Sequence, residues 1–335
     1  MLPVLNRVAH NVVGAIGGPR LMILIFHRVH RAPDPLFPHE PDAARFDALL
    51  QILRSSFRVM PLHSAVAAMR DGALPSRALA ITFDDGYADN AEVALPLLQR
   101  HQLSATFFVS TAFLDGAGCM WNDALIECVR RTTAHELDLH DFGFGPQSLS
   151  SASDRQRLIG LLLEHAKYLL PAERRDFVKM IQGRTGIRGG FPKLMMTSAQ
   201  VRSLHASGMQ IGAHTAGHPI LTSLSDDQCR LEIQGGRKHL EKIVEAPVDL
   251  FAYPNGKPLR DYDARHVALV KELGFVAAVS TAPGSASPGD DLFQLPRYTP
   301  WGRTPAIWAA RLLRNRLRRV ADAASEPDTG SRKGR

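Results

Sequence analysis

Short apolar runs recur along the chain, and each is followed by a stretch with helical spacing. Leu21–Phe26 reads as a first buried strand. Phe46, Leu49, Leu50 and Leu53 then return at intervals of three and four, which predicts an amphipathic helix over Ala43–Phe57. A short strand at Val59–Leu62 leads into a helix at His63–Arg70. Leu79–Phe83 is a strand, Asn90–His101 a helix and Ser104–Ser110 a further strand. Later come a helix over Thr197–Ser207, capped at its start and stopped by Gly208, and a strand at Met209–Ala213. Helix Ser225–Glu245, strand Val248–Tyr253, helix Asp261–Leu273, strand Phe275–Ser280 and a last strand at Phe293–Leu295 complete the series. Strands buried on both faces and alternating with helices imply a mainly parallel sheet, closed or nearly closed.

Residues 112–196 break this rhythm. Trp121–Arg131 and Ser153–Gly183 have helical spacing and are joined by a stretch rich in glycine and serine. No independent alternating core pattern accompanies them, so the segment reads as a helical insertion within one domain. The expected organisation is an N-terminal extension at 1–20, a domain at 21–303 carrying that insertion, and a basic helix and tail at 304–335.

With 335 residues, 45% hydrophobic and 22% charged, the chain has the composition of an ordinary globular protein. Its net charge of +7 is concentrated late, at Arg311, Arg314, Arg316, Arg318, Arg319, Arg332, Lys333 and Arg335. That pattern reads as a solvated basic helix with a frayed end. The alternative is peripheral attraction to an anionic membrane or polysaccharide. Nucleic acid is excluded as a partner, because the basic residues are not interleaved with stacking aromatics or set in a reader motif. Three cysteines without a Cys-x-x-Cys pair suit a reducing compartment. Polar residues and a Gly-Gly-Pro interrupt the N-terminus, so no signal peptide is evident, and Leu21–Phe26 is too short to cross a bilayer. The cytoplasm is therefore the default location, with membrane-peripheral contact as the alternative.

Two strand ends carry the chemistry. The run Ala78–Phe83 delivers adjacent acids, Asp84 and Asp85, into a turn at Gly86. The run Met209–Ala213 delivers His214 and His218, with Gly212, Gly217 and Pro219 placing the pair on a loop rather than a helix. Either motif alone is ambiguous, since Asp-Asp-Gly is a common turn. Together, past two buried strands, they occupy the positions where barrel-type folds keep catalytic groups. Two imidazoles and one carboxylate hold a divalent metal with open positions, and the second carboxylate is left to act as a base.

Thr82-Phe83-Asp84-Asp85-Gly86 and His214-Thr215-x-x-His218-Pro219 closely resemble the polysaccharide deacetylases, carbohydrate esterase family 4, of NodB homology. Ile23–Val29 is similar to the opening of the branch acting on exopolysaccharides, Thr106–Val109 to the strand after the first motif, and Leu250–Gly256 to the third motif. The resemblance implies an α/β fold, a distorted (β/α)7 barrel, and hydrolysis of an N-acetyl group on a glycan or glycolipid. It implies that Asp85, His214 and His218 hold the metal, with zinc favoured over cobalt, nickel or iron, and that Asp84 is the general base. The Tyr253 backbone amide would bind the oxyanion, and Tyr253, Pro254 and Trp121 would line the substrate groove. Phe37, Tyr298 and Trp301 are further aromatic candidates.

Two departures stand out. No arginine precedes the third motif, where the chain reads Asp249-Leu250-Phe251-Ala252, and no histidine follows His266. His27, at the point matching the exopolysaccharide branch, is then expected to be the general acid, with His30 as the alternative. Arg297 is the candidate to replace the missing arginine, against a purely structural ion pair. Rival readings are a carbohydrate-binding homologue that has lost catalysis and a non-haem iron enzyme, which also uses two histidines and a carboxylate.

Overall fold

The computed structural model describes residues 18–318 apart from 189, 301 and 303, together with residue 324. The extension at 1–17, Trp301, and the tail positions Arg319, Arg332, Lys333 and Arg335 lie outside the described residues.

The chain begins with β1 (Met22–Phe26), α1 (Ala43–Ser56), β2 (Arg58–Val59), α2 (Leu62–Arg70) and β3 (Ala78–Phe83). It continues through α3 (Leu95–His101) to β4 (Thr106–Val109). The insertion holds α4 (Trp121–Arg131), a hairpin of β5 (Glu136–Asp138) and β6 (Pro146–Ser148), α5 (Ala152–Lys167) and α6 (Pro171–Arg184). After it come α7 (Ser198–Ala206), β7 (Gln210–Ala213), α8 (Asp226–Val244), β8 (Leu250–Ala252), α9 (Ala264–Glu272), β9 (Ala277–Val279) and α10 (Pro305–Leu317).

One seven-stranded sheet runs in the order β1-β3-β4-β7-β8-β9, with β2 paired to the start of β3. Every pair is parallel, because each neighbour is reached through a crossover that carries helix. The sheet therefore curls in a single direction into a distorted barrel surrounded by helices. β1, β3 and β4 are buried at every position, as their unbroken apolar runs require. Alternate residues divide between two clusters. Met22, Leu24 and Phe26 pack with Phe46, Leu49 and Leu53 of α1, whereas Leu21 and Ile23 join Ala80, Phe108, Leu250 and Val279. A Cβ on Gly212 would sit 2.4 Å from the Phe108 ring, so β4 and β7 approach this closely only with glycine there.

Four expectations need correction. The last strand, Phe293–Leu295, does not form; Leu292 to Gln294 turn, and Leu295 and Tyr298 make single parallel bridges to Val279 and Leu24. Pro296 supplies no N–H and the Arg297 amide turns to the Ala282 carbonyl, so no ladder can run here. The segment nonetheless spans the gap between β9 and β1. Ser153–Gly183 is two helices, because Pro171 opens a new one after the Tyr168–Leu170 break. The first part of Asn90–His101 is a π turn, Asn90–Ala94, ahead of Pro96, whose missing N–H the wider turn accommodates. Finally, α10 is not solvated all round: Arg311 and Arg314 face solvent, but Arg316 is 1% exposed.

The insertion buries Leu125, Cys128, Leu158, Leu162, Phe177 and Ile181 in a separate cluster that also takes in Leu36, and its glycine- and serine-rich joint folds as the β5–β6 hairpin. Among the described residues no helix is long and apolar enough to cross a membrane.

Candidate active site

Asp84 and Asp85 leave the end of β3 in a turn that only certain residues can make. Asp85 has φ 74° and Gly86 φ 93°, and a Cβ on Gly86 would lie 2.9 Å from Val109. The loop after β7 is equally constrained, with Thr215 at φ 63° and His218 at φ 54°. Non-glycine residues persist in such conformations when their surroundings over-determine them. Here the Glu232 carboxylate of α8 accepts the Ala216 and Gly217 amides at 3.1 and 2.7 Å, and the Thr215 hydroxyl accepts the His218 amide at 3.0 Å. A Cβ on Gly236 would meet the Thr215 backbone at 2.6 Å, so α8 presses directly on the loop. Ser110, past the end of β4, ties both turns together: its amide donates to the Asp85 carbonyl and its hydroxyl to the His214 carbonyl.

These turns bring one ligand atom each from Asp85, His214 and His218 within 4.8 Å of one another. The His214 Nε2 lies 3.4 Å and the His218 Nε2 3.3 Å from Asp85 Oδ1. His214 Nδ1 donates to the Ala252 carbonyl at 2.7 Å, which fixes the tautomer and leaves Nε2 as the free lone pair. Asp85 Oδ1 is buried without a hydrogen bond. A buried carboxylate oxygen left unsatisfied between two imidazole nitrogens is what a divalent cation completes, and the donor set suits zinc chemistry.

Electrostatics fit the same use. Burial pushes the Asp85 carboxyl up, but His218, His214 and His27 outweigh it and hold it far below the usual carboxylate range. Burial pushes His218 down to about 4, against the pull of Asp85, so it is neutral and able to ligate near neutral pH. His214 moves the other way, because Asp84 and Asp85 together overcome its burial.

Asp84, 2% exposed, is gripped by Arg297. Both guanidinium Nη atoms donate to its two carboxylate oxygens at 2.6 Å, a bidentate pair that fixes the plane of the carboxylate. Arg297 is itself 1% exposed and donates from Nε to the Ser280 carbonyl. Burial raises the Asp84 pKa, while Arg297 and His214 more than offset this and lower it.

A cavity of about 640 Å³ opens above this cluster. His27 lines it with an exposed ring, its carbonyl held by Asn90 Nδ2 at 2.9 Å. His30 does not; its ring pairs with Glu40 at 2.6 Å. Trp121 and Phe37 line the cavity, and the Arg174 guanidinium sits 5.1 Å over the Trp121 ring. Tyr253 and Pro254 are buried and do not line it. Tyr253 stacks on Tyr262 at 3.9 Å, its hydroxyl donates to the Phe293 carbonyl, and its amide is spent on the Val279 carbonyl at 3.2 Å. The residue that lines the cavity is Asn255, at φ 58°, whose amide makes no hydrogen bond among the described residues. Tyr298 lies outside the lining.

Sequence reasoning also missed a polar group on the insertion side. The Tyr87 hydroxyl donates to Asp123 at 3.1 Å, and Arg28 stands 4.8 Å over the Tyr87 ring while bonding Asp89. Burial, only partly offset by Arg28, pushes the Asp123 carboxyl up to about 7. Its only sequence signal was a lone acid beside Trp121 on the face of α4 that turns toward the cavity.

Residues 71–153 and 180–278 match the model of a family described as polysaccharide deacetylase. The unmatched stretch between them falls in α5 and α6. YxkH of Bacillus subtilis (strain 168) is 19% identical over 280 residues, 83% of this chain and 70% of its own length. Among solved structures, the Streptococcus pyogenes deacetylase PplD in complex with acetate aligns with a TM-score of 0.57 and 19% identity, over 89% of this chain and 98% of its own. IcaB from Ammonifex degensii aligns with a TM-score of 0.56 and 19% identity, over 88% and 97%. At such identities these likenesses show a common fold.

Proposed function

The chain belongs to the polysaccharide deacetylase family, and on that premise we propose that it hydrolyses the acetamide of an N-acetylated sugar in a glycan or glycoconjugate, releasing acetate. One observation carries this reading: the Asp85, His214 and His218 ligand atoms converge within 4.8 Å beside a second carboxylate, Asp84, at the floor of a sugar-sized cavity.

Asp85, His214 and His218 would hold a divalent ion, zinc by this donor set, which when bound would supply Lewis acidity, lowering the pKa of a water from 15.7 toward about 7 and polarising a carbonyl. Asp84 accepts the proton of the attacking water. Its carboxyl is a weak base, held below the usual range, so it matches an acidified water far better than a bulk one. Arg297 keeps both Asp84 oxygens in a fixed plane, which makes it a positioning residue. As the water oxygen bonds to the acetamide carbon, the developing oxyanion takes the Asn255 amide as a donor, a role closed to Tyr253 by its sheet hydrogen bond. The carbon–nitrogen bond then breaks, acetate departs, and His27, standing free at the cavity wall, gives its proton to the leaving amine.

The test is acetate release from N-acetylglucosamine oligomers before chelation, after chelation and after zinc is restored. Release that disappears and returns with the metal is expected. Zinc-loaded protein that frees no acetate from either oligomers or an aryl acetate overturns the reading.

A further inference from the structure

The cavity has five arginine and lysine side chains on its walls, and they are not equivalent. Arg28 pairs with Asp89 at 2.8 Å, and Arg130 with Asp34 and Glu127 at 2.7 and 2.9 Å. The other three stand together where the end of α5 meets the loop after β8. One buried acid, Asp261 (0% exposed), builds that junction. Its Oδ1 accepts the Tyr168 hydroxyl at 3.2 Å, and its Oδ2 accepts the Lys257 amide at 3.0 Å and faces Lys167 Nζ at 3.7 Å. Asp261 is thereby used up. The Lys257 ammonium and the Arg260 guanidinium form no ion pair among the described residues, although both line the cavity. The Arg260 guanidinium stands over Tyr168, 4.2 Å from the ring centroid, and Lys167 approaches the same ring at 5.4 Å. Burial and the nearby charges of Lys257 and Arg260 lower the Lys167 pKa despite Asp261, which registers the crowding of positive charge. Glu164, exposed and lining the same cavity, sits a turn before Tyr168.

We propose that the substrate is an anionic glycan, with a carboxylate or phosphodiester close to the acetylated sugar engaging Lys257 and Arg260, supported by Lys167 and Tyr168. The proposal rests on the deacetylase reading for the position of the acetamide. Asn255 lies two residues before Lys257, so the cationic pair begins immediately beside the reaction site. An anion there replaces water around two unpaired cations and stacks its sugar against an exposed tyrosine, which a neutral oligomer cannot fully match.

The experiment measures binding by calorimetry and acetate release in parallel, on zinc-loaded protein. The probes are a neutral N-acetylglucosamine tetramer, a tetrasaccharide alternating N-acetylglucosamine with glucuronate, and an N-acetylglucosamine oligomer carrying a phosphodiester. Wild type should favour at least one anionic probe over the neutral one by about tenfold, equivalent to about 1.4 kcal/mol. That ratio should shrink as salt rises and fall close to one in Lys257→Gln/Arg260→Gln. Whichever anionic probe carries the preference identifies its source. Equal affinity for all three probes, or a preference that survives the double substitution, overturns the proposal. Because binding is read separately, protein that distinguishes the probes but releases no acetate sinks the deacetylase reading while leaving the anion site standing.

Discussion

The floor of the cavity and the wall facing it are assembled on opposite plans. On the floor, charged groups are withdrawn from water and bound to one another: Asp84, Asp85, His214 and Arg297 are all 5% exposed or less. They come from the ends of β3 and β7 and from the segment that closes the barrel, and Asp84 and Arg297 are 213 positions apart. On the wall, the insertion stands on an apolar cluster separate from the barrel's and presents charge to the cavity with Tyr168 41% exposed. The groups proposed for the reaction thus depend on the barrel frame, where a displaced strand would scatter them. The wall is shared, since Lys167 and Tyr168 come from the insertion and Lys257 and Arg260 from the loop after β8. The family match covers Asp84, Asp85 and His214 and skips most of α5 and α6.

That division can be broken or sharpened by substitution. The largest effect belongs to the ligands: Asp85→Ala or His218→Ala should strip the metal and reduce acetate release to background, and full occupancy by elemental analysis in both would remove them from the metal site. Next, Asp84→Asn should retain metal and lose about 10²–10⁴-fold in turnover, because an amide cannot take the proton. Its partner behaves differently. Arg297→Met leaves Asp84 buried and unpaired, so it should cost about 3–5 kcal/mol in urea unfolding as well as activity. Adding Asp84→Asn to Arg297→Met should recover part of that stability, and a strictly additive double variant would show the clamp to be dispensable.

His27→Ala should lower amide turnover by about 10²–10⁴-fold and lower that of an aryl acetate far less, since a phenolate leaves without a proton. Equal defects on both would place the acid elsewhere. On the wall, Leu162→Ala should destabilise by about 2–5 kcal/mol while the molecules still folded turn over near the wild-type rate. Collapse of turnover in folded protein would mean that floor and wall are one unit after all.

The smallest effect concerns Asp123, where the two regions meet. Its carboxyl is raised to about 7 when folded, against about 4 in an unfolded chain. Between those values the folded state binds more protons, so its contribution to stability falls as pH rises, by up to about 1.4 kcal/mol per unit. In metal-free protein, the difference between wild type and Asp123→Asn in thermal scans should therefore change between pH 4.5 and 7. A difference independent of pH would show that Asp123 is ionised throughout.

The floor was the more legible of the two in sequence. Buried parallel strands announce themselves as unbroken apolar runs, and Asp84, Asp85, His214 and His218 stand where two of those runs stop. Trp121–Arg131 was placed to the residue, since its apolar face is regular. Groups that act through tertiary contact were not visible. Nothing local marks Glu232 as the cap of the histidine loop, Ser110 as the tie between the turns, or Asp261 as the pin of the wall. Tyr253 entered through the resemblance of Leu250–Gly256 to the family's third motif, yet the ladder at the end of β8 consumes its amide, and the next turn brings Asn255 to the cavity instead. Phe293–Leu295 has the composition of a strand, but Pro296 denies it a ladder.

The closing segment also has a consequence in time. A ribosome delivers the chain N-terminus first, and Asp84 and both histidines emerge well before Arg297. Until residues 295–298 bridge β9 to β1, the barrel has an open seam and Asp84 lacks its bidentate partner. A nascent chain halted before Pro296 would already hold Asp85, His214 and His218 but not the residue that clamps Asp84. Arg297 is therefore the last of the floor groups to be made.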